Sequence, residues 1–215
     1  ELEAFVRKPY VNGSLIPDYV LVPSGLPFDE CGWLAEVRSE PHTNAMKAVA
    51  LLDAETKIVL QQANKANVVL EFTPLVRIPR ELKVSAGRKH GKGIIKYQNV
   101  YGHQTHRCST EFATASLHIS FTEERTFNYS EKSISVEGNY LRERVDTKTF
   151  RYQGFIDHAK LIVGLDNAFK VELAKAKRNP GFYEIKDDGR IEYRSLPNDV
   201  NLDKVVEVLT KLTQA

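Results

Sequence analysis

The chain has 215 residues, 42% of them hydrophobic and 27% charged, with a formal net charge of +2 and two cysteines. This is ordinary globular composition with enough apolar residues for a core, so a chain disordered throughout is excluded, and no apolar run has the length of a membrane span. Cys31 and Cys108 make no Cys-x-x-Cys pair and no Cys/His cluster with zinc spacing, so neither a metal nor another cofactor is expected.

In chain order, the first half reads as short strands between turn signals. Tyr19–Pro23 and Trp33–Arg38 are strand-like, separated by Ser24-Gly25 and by Asp29 to Gly32. Ala45 to Asp53 and Thr56 to Gln61 read as two further strands, joined by a tight Asp53-Ala54-Glu55 connection. From Val68 to Thr73, Val68, Leu70 and Phe72 alternate with Val69, Glu71 and Thr73, the pattern of a half-buried strand. Pro74 and Pro79 then interrupt the sheet, because proline donates no ladder hydrogen bond.

The most regular stretch follows. Ala113, Ala115, Leu117, Ile119 and Phe121 alternate with Thr114, Ser116, His118 and Ser120, which predicts one strand with an apolar face. The uncharged polar face is expected to meet water or a ligand. Arg125–Tyr129, Lys132–Glu137 and Thr147–Tyr152 read as more strands. The period then changes. Ile162, Leu165, Phe169 and Leu173 recur at helical spacing, predicting a helix from Asp157, its N-cap, to Lys177, stopped by Asn179-Pro180-Gly181. Phe182 to Tyr193 predicts a hairpin turning at Asp187-Asp188-Gly189, and a last helix runs from about Asp199 to Thr213. Strands first and helices late imply an α+β fold with antiparallel sheet. One domain is expected over 1–215, its core at about 19–178, with the hairpin and helix of 181–215 following it.

One local asymmetry stands out against the small net charge. Arg77, Arg80, Lys83, Arg88, Lys89, Lys92 and Lys96 face a single acid, Glu81, so residues 77–96 carry +6. His90, His103, His106 and Arg107 extend the segment, and Tyr97 and Tyr101 are interleaved. Lysine and arginine neutralise phosphates and release counterions, and aromatic rings stack on unpaired bases. Gly87, Gly91 and Gly93 let such a segment follow a nucleic-acid backbone, though they lack the Gly-Lys-Ser/Thr ending of a phosphate loop. The bland reading is a solvated basic loop. A rival enzymatic reading uses His103-Gln104-Thr105 and His118-Ile119-Ser120, two His-x-Ser/Thr triplets of the kind that serve two-histidine phosphoesterases. The carboxylate pairs Glu123-Glu124 and Asp187-Asp188 sit in turn-like contexts and read as solvated.

Asn67-Val68-Val69-Leu70-Glu71-Phe72-Thr73-Pro74 resembles the strand of the Whirly family that runs from apolar residues through an acid or Gln to Phe, Ala and Pro. Met46-Lys47-Ala48-Val49-Ala50-Leu51 falls where that family carries Lys-Gly-Lys-Ala-Ala, with Ala45 and Met46 in place of its first lysine and its glycine. Arg88-Lys89 resembles the Arg-Lys pair after the proline, and Ala159 to Phe169 is similar to the family's C-terminal helix. The likeness covers roughly 45–175, and the long basic loop after Pro74 favours the kinetoplastid mitochondrial RNA-binding branch. The resemblance implies two antiparallel four-stranded sheets packed crosswise, C-terminal helices, and a tetramer with a homologous subunit. It also implies single-stranded guide RNA held by its phosphates, annealing of guide RNA to messenger RNA in mitochondrial RNA editing, and no catalysis. The phosphate contacts would then fall to Lys47, Lys57, Arg77, Arg80, Lys83, Arg88, Lys89, Lys92, Lys96 and Arg107, with Tyr97 and Tyr101 as secondary contacts. A plant-type single-stranded-DNA-binding regulator is the alternative within the same family.

Overall fold

A computed structural model describes residues 1–11, 16–29, 32–42, 44–79, 82, 98–102, 112–121, 148–186 and 190–214, with backbone alone at 148–157 and 214. Among them the chain is α+β, with antiparallel sheets and four helices. The strands are β1 (Leu2–Arg7), β2 (Leu34–Val37), β3 (Val69–Glu71), β4 (Leu75–Arg77), β5 (Gln98–Asn99), β6 (Phe112–Thr114), β7 (Ile119–Phe121), β8 (Phe182–Ile185) and β9 (Ile191–Tyr193). The helices are α1 (Ala45–Lys65), α2 (Lys148–Ala168), α3 (Lys170–Lys175) and α4 (Leu202–Gln214). The sheets have three, two and four strands, in the orders β2-β1-β3, β4-β6 and β5-β8-β9-β7, rather than two sets of four.

The largest correction is α1. Residues 45–61 form no pair of strands; they lie in one 21-residue helix. The stretch from Ala45 to Ala66 contains no glycine or proline and is rich in Ala, Leu, Lys and Gln, all strong helix formers. Asn44 caps it by accepting from the Lys47 N–H at 3.1 Å. Leu52, Val59 and Ala63 recur at helical spacing and are buried. At the other end Asn67 adopts φ 55°, and Val68 N–H reaches back to the Ala63 carbonyl at 3.0 Å, closing the helix with a left-handed turn. The apolar clusters at 49–52 and 58–60 read as strands only when taken in short windows.

The core also reaches further than 19–178. Strand β1, not anticipated from the pattern, sits between β2 and β3 and is buried along almost its whole length. Its alternation serves two cores. Leu2, Ala4 and Val6 join the main core with α1, α2 and the C-terminal elements, while Phe5 joins Tyr19, Leu34, Val76, Ile78, Ala113 and Ala115 in a second. The hairpin β8–β9 lies inside the four-stranded sheet with Tyr183 opposite Tyr193, and α4 packs on α1 and α2, so the C-terminal elements are core.

The alternating run 112–121 is two strands rather than one. β6 pairs with β4, β7 pairs with β9, and between them Ser116 bridges Pro197 while Leu117 bridges Leu2. This segment therefore stitches all three sheets together. Its polar face is wet only at the end: Ser116 and His118 are buried, Thr114 is half-buried and Ser120 is exposed. Residues 148–152 are helical, so the strand expected at Thr147–Tyr152 is absent, and the helix begins at Lys148 rather than at an Asp157 cap. Ile162, Leu165, Phe169 and Leu173 are buried as their spacing predicts. The strands expected at 125–129 and 132–137 lie outside the described residues, as does the hairpin turn 187–189.

Candidate nucleic-acid interface and a buried histidine cluster

The sequence-predicted contacts fall in three places. Lys47 and Lys57 are exposed on α1, where Lys57 Nζ pairs with Asp53 at 2.6 Å. Arg77 is exposed at the end of β4, directly opposite Phe112 of β6. Directly opposed residues share a face, so the 38%-exposed Phe112 ring lies beside the Arg77 side chain. Lys177 Nζ stands 5.3 Å from the centre of that ring on another element, within cation–π range. One cation thus lies against this partly exposed aromatic ring and a second is its cross-strand neighbour, where the chain enters the basic segment. The sequence pattern gave no hint of Phe112 or Lys177, because neither lies in the charged window.

Tyr101 is at the turn after β5, 43% exposed, and its hydroxyl donates to Asp166 Oδ2 at 3.0 Å. Partial burial and the Asp166 carboxylate push its pKa up to about 12, so the phenol keeps its proton. Its hydroxyl is committed to the fold, and only its ring is free to meet a ligand. Arg80, Lys83, Arg88, Lys89, Lys92, Lys96, Tyr97 and Arg107 lie outside the described residues, as does His103.

His118 has a different role from either expectation. Its side chain is 1% exposed, so it faces neither solvent nor a substrate, which does not suit the phosphoesterase reading. Four carboxylates surround it. Nδ1 lies 3.5 Å from Glu1 Oε2, 3.6 Å from Glu36 Oε1 and 3.7 Å from Glu192 Oε1, while Nε2 lies 3.5 Å from Glu3 Oε1. The local fold explains the convergence. Glu1 and Glu3 alternate onto one face beside β2's Glu36, which is directly opposite Glu3, and His118 N–H donates to the Glu1 carbonyl at 2.8 Å. Glu192 enters from β9.

Cations and hydroxyls hold the outer oxygens of Glu1, Glu36 and Glu3, and for Glu192 the oxygen that faces Nδ1. Arg38 pairs with Glu36 Oε2 and lies 3.5 Å from Glu1 Oε1. Ser116 donates from both N–H and Oγ to Glu3 Oε2, each at 2.7 Å. Lys186 lies 3.0 Å from Glu192 Oε1, and Arg194 bonds both Glu192 and Glu184. Burial disfavours a charged His118, yet Glu3, Glu1 and Glu36 outweigh it and raise the imidazole pKa. Burial likewise opposes charge on Glu36, but His118, Glu1 and Arg38 bring its pKa below the usual value. His118 Nδ1 and Glu192 Oε2 remain buried without a hydrogen-bond partner.

Among the described residues no helix is long and apolar enough to cross a membrane. Comparison with protein-family models, with curated proteins and with solved structures returned no match to this chain, for the Whirly family or any other.

Proposed function

We propose that this chain binds single-stranded RNA through its phosphates, without catalysis, using the basic segment that begins at Arg77. The observation that carries the reading is the +6 of residues 77–96 in a chain of net +2. The exposed Arg77 and Lys177 beside Phe112 at the foot of that segment add further cations for the phosphates. Backbone contacts of this kind tolerate any sequence and leave base edges open for pairing. The finer reading extends this to guide RNA, annealing to messenger RNA in mitochondrial RNA editing, and a Whirly-like tetramer with a homologous subunit. It is supported by the resemblance over 45–175 alone.

The test is the salt dependence of binding to unrelated single-stranded RNAs. Each phosphate contact contributes about 0.7 to the slope of log affinity against log salt on single strands, so replacing Arg77, Arg80, Lys83 and Arg88 by Ala lowers the slope by about 3. Unchanged affinity and slope in that variant would sink the assignment. A matched single-stranded DNA that outcompetes the RNA would favour the plant-type reading instead.

A further inference from the structure

Two features of the His118 cluster point to a missing occupant. The first is distance. A direct N–H···O hydrogen bond spans about 2.7–3.2 Å, and the three carboxylate oxygens around Nδ1 stand off at 3.5, 3.6 and 3.7 Å. Two ligands each about 2.1 Å from a tetrahedral ion lie about 3.4 Å apart, close to these separations. The ligand atoms of Glu1, His118 and Glu192 all fall within 4.8 Å of one another. The second feature is the pair of orphaned groups. His118 Nδ1 and Glu192 Oε2 are buried without a hydrogen-bond partner, on side chains 1% and 0% exposed. Leaving such groups unsatisfied is costly, and a cation beside Nδ1 would satisfy that nitrogen.

The surroundings have the form of an outer shell. Metal-bound histidine commonly presents its second nitrogen to a carboxylate, and Nε2 faces Glu3, itself fixed by two hydrogen bonds from Ser116. Arg38 holds the far oxygens of Glu1 and Glu36, leaving their near oxygens toward Nδ1.

We propose that this cluster is a site for a divalent ion of the zinc class, held by His118 Nδ1 and the carboxylates of Glu1 and Glu192, with Glu3 as a positioning residue. The ligands come from the residue before β1, from β9 and from the crossover between β6 and β7, so the ion would clamp two sheets at their junction. Entry is from the rim formed by Arg38 and Glu1, the most exposed members on that side.

The probe is zinc chloride titrated into the full chain after chelator dialysis, with bound zinc counted by elemental analysis and affinity read by calorimetry. One zinc per chain is expected, with a thermal midpoint that falls on chelation. His118→Gln should lower affinity at least 100-fold, Glu3→Gln about 10–100-fold as an outer-shell loss, and the exposed Glu40→Gln not at all. Should His118→Gln fail to fold, cobalt substitution of the unaltered chain gives the same answer, since a tetrahedral site yields an intense visible absorption band. A folded wild-type chain that takes up no zinc, or a folded His118→Gln chain that retains it at full affinity, overturns the site. In the first case His118 is a buried imidazolium balanced by its carboxylates. Neither outcome bears on RNA binding, which uses other residues.

Discussion

Tyr193→Phe removes one hydroxyl from the centre of the fold and leaves the ring in place. Tyr193 is fully buried in the main core, and its hydroxyl donates to Asp166 Oδ1 at 2.5 Å. Asp166 has two other donors, Tyr101 at 3.0 Å and the Gly181 N–H. A hydrogen bond to a charged group contributes about 1.5–3 kcal/mol, so the variant should lose about that much, or about 3–12 °C in midpoint for a chain of this size. Tyr101→Phe removes the longer bond from a half-exposed ring and should cost less, about 0.5–1 kcal/mol. The pH dependence sharpens the test. Burial raises the Asp166 pKa above its ordinary value, and the Tyr193 and Tyr101 hydroxyls bring it part of the way back. A carboxyl with a raised folded-state pKa costs stability as it ionises, so this cost accrues as pH rises from about 4. Without Tyr193 the folded-state pKa rises further and the cost at neutral pH grows. The gap between variant and parent should therefore be small near pH 4 and widen toward pH 7.5, measured by urea unfolding followed by circular dichroism. A gap below about 0.5 kcal/mol, or one independent of pH, would refute the reasoning.

Two further outcomes test the corrected fold. Leu52→Ala, on the buried face of α1, should cost about 2–5 kcal/mol, while Ile58→Ala on its exposed side stays within about 0.5–1 kcal/mol; equal costs in denaturant titrations would contradict the helix orientation. Asp29 accepts from the Gly32 and Leu34 N–H groups, yet burial and the nearby Glu3 raise its pKa to about 6. Its ionisation should lower stability as pH rises between about 4 and 6, by on the order of 2 kcal/mol. Asp29→Asn keeps the accepting oxygen and should flatten that slope; a parent whose stability climbs across the same window with no change in the variant would contradict the assignment.

Local pattern determined much of the secondary structure. The helical spacing of Ile162, Leu165, Phe169 and Leu173, the hairpin around 182–193 and the amphipathic last helix were legible because each repeats its period several times. The α+β class followed from their order. The basic window was legible too, because charge is countable without a fold. Where period was ambiguous, context decided. In α1 short apolar clusters mimic strands, and only the unbroken run of helix formers between the Asn44 cap and the left-handed Asn67 resolves them. Strand β1 escaped notice because a strand buried on both faces shows little alternation.

The sequence by itself thus determined the late helices, the C-terminal hairpin, the α+β class and where positive charge accumulates. Tertiary structure alone decided what surrounds His118. Alternation put His118 and Ser116 on a polar face, but whether that face meets water depends on β1, β2 and β9 closing over it. Glu1, Glu3, Glu36 and Glu192 are scattered over nearly the whole chain, so no spacing motif could join them to His118. Antiparallel pairing brings them together, since it sets register between strands far apart in sequence, and register fixes which side chains meet.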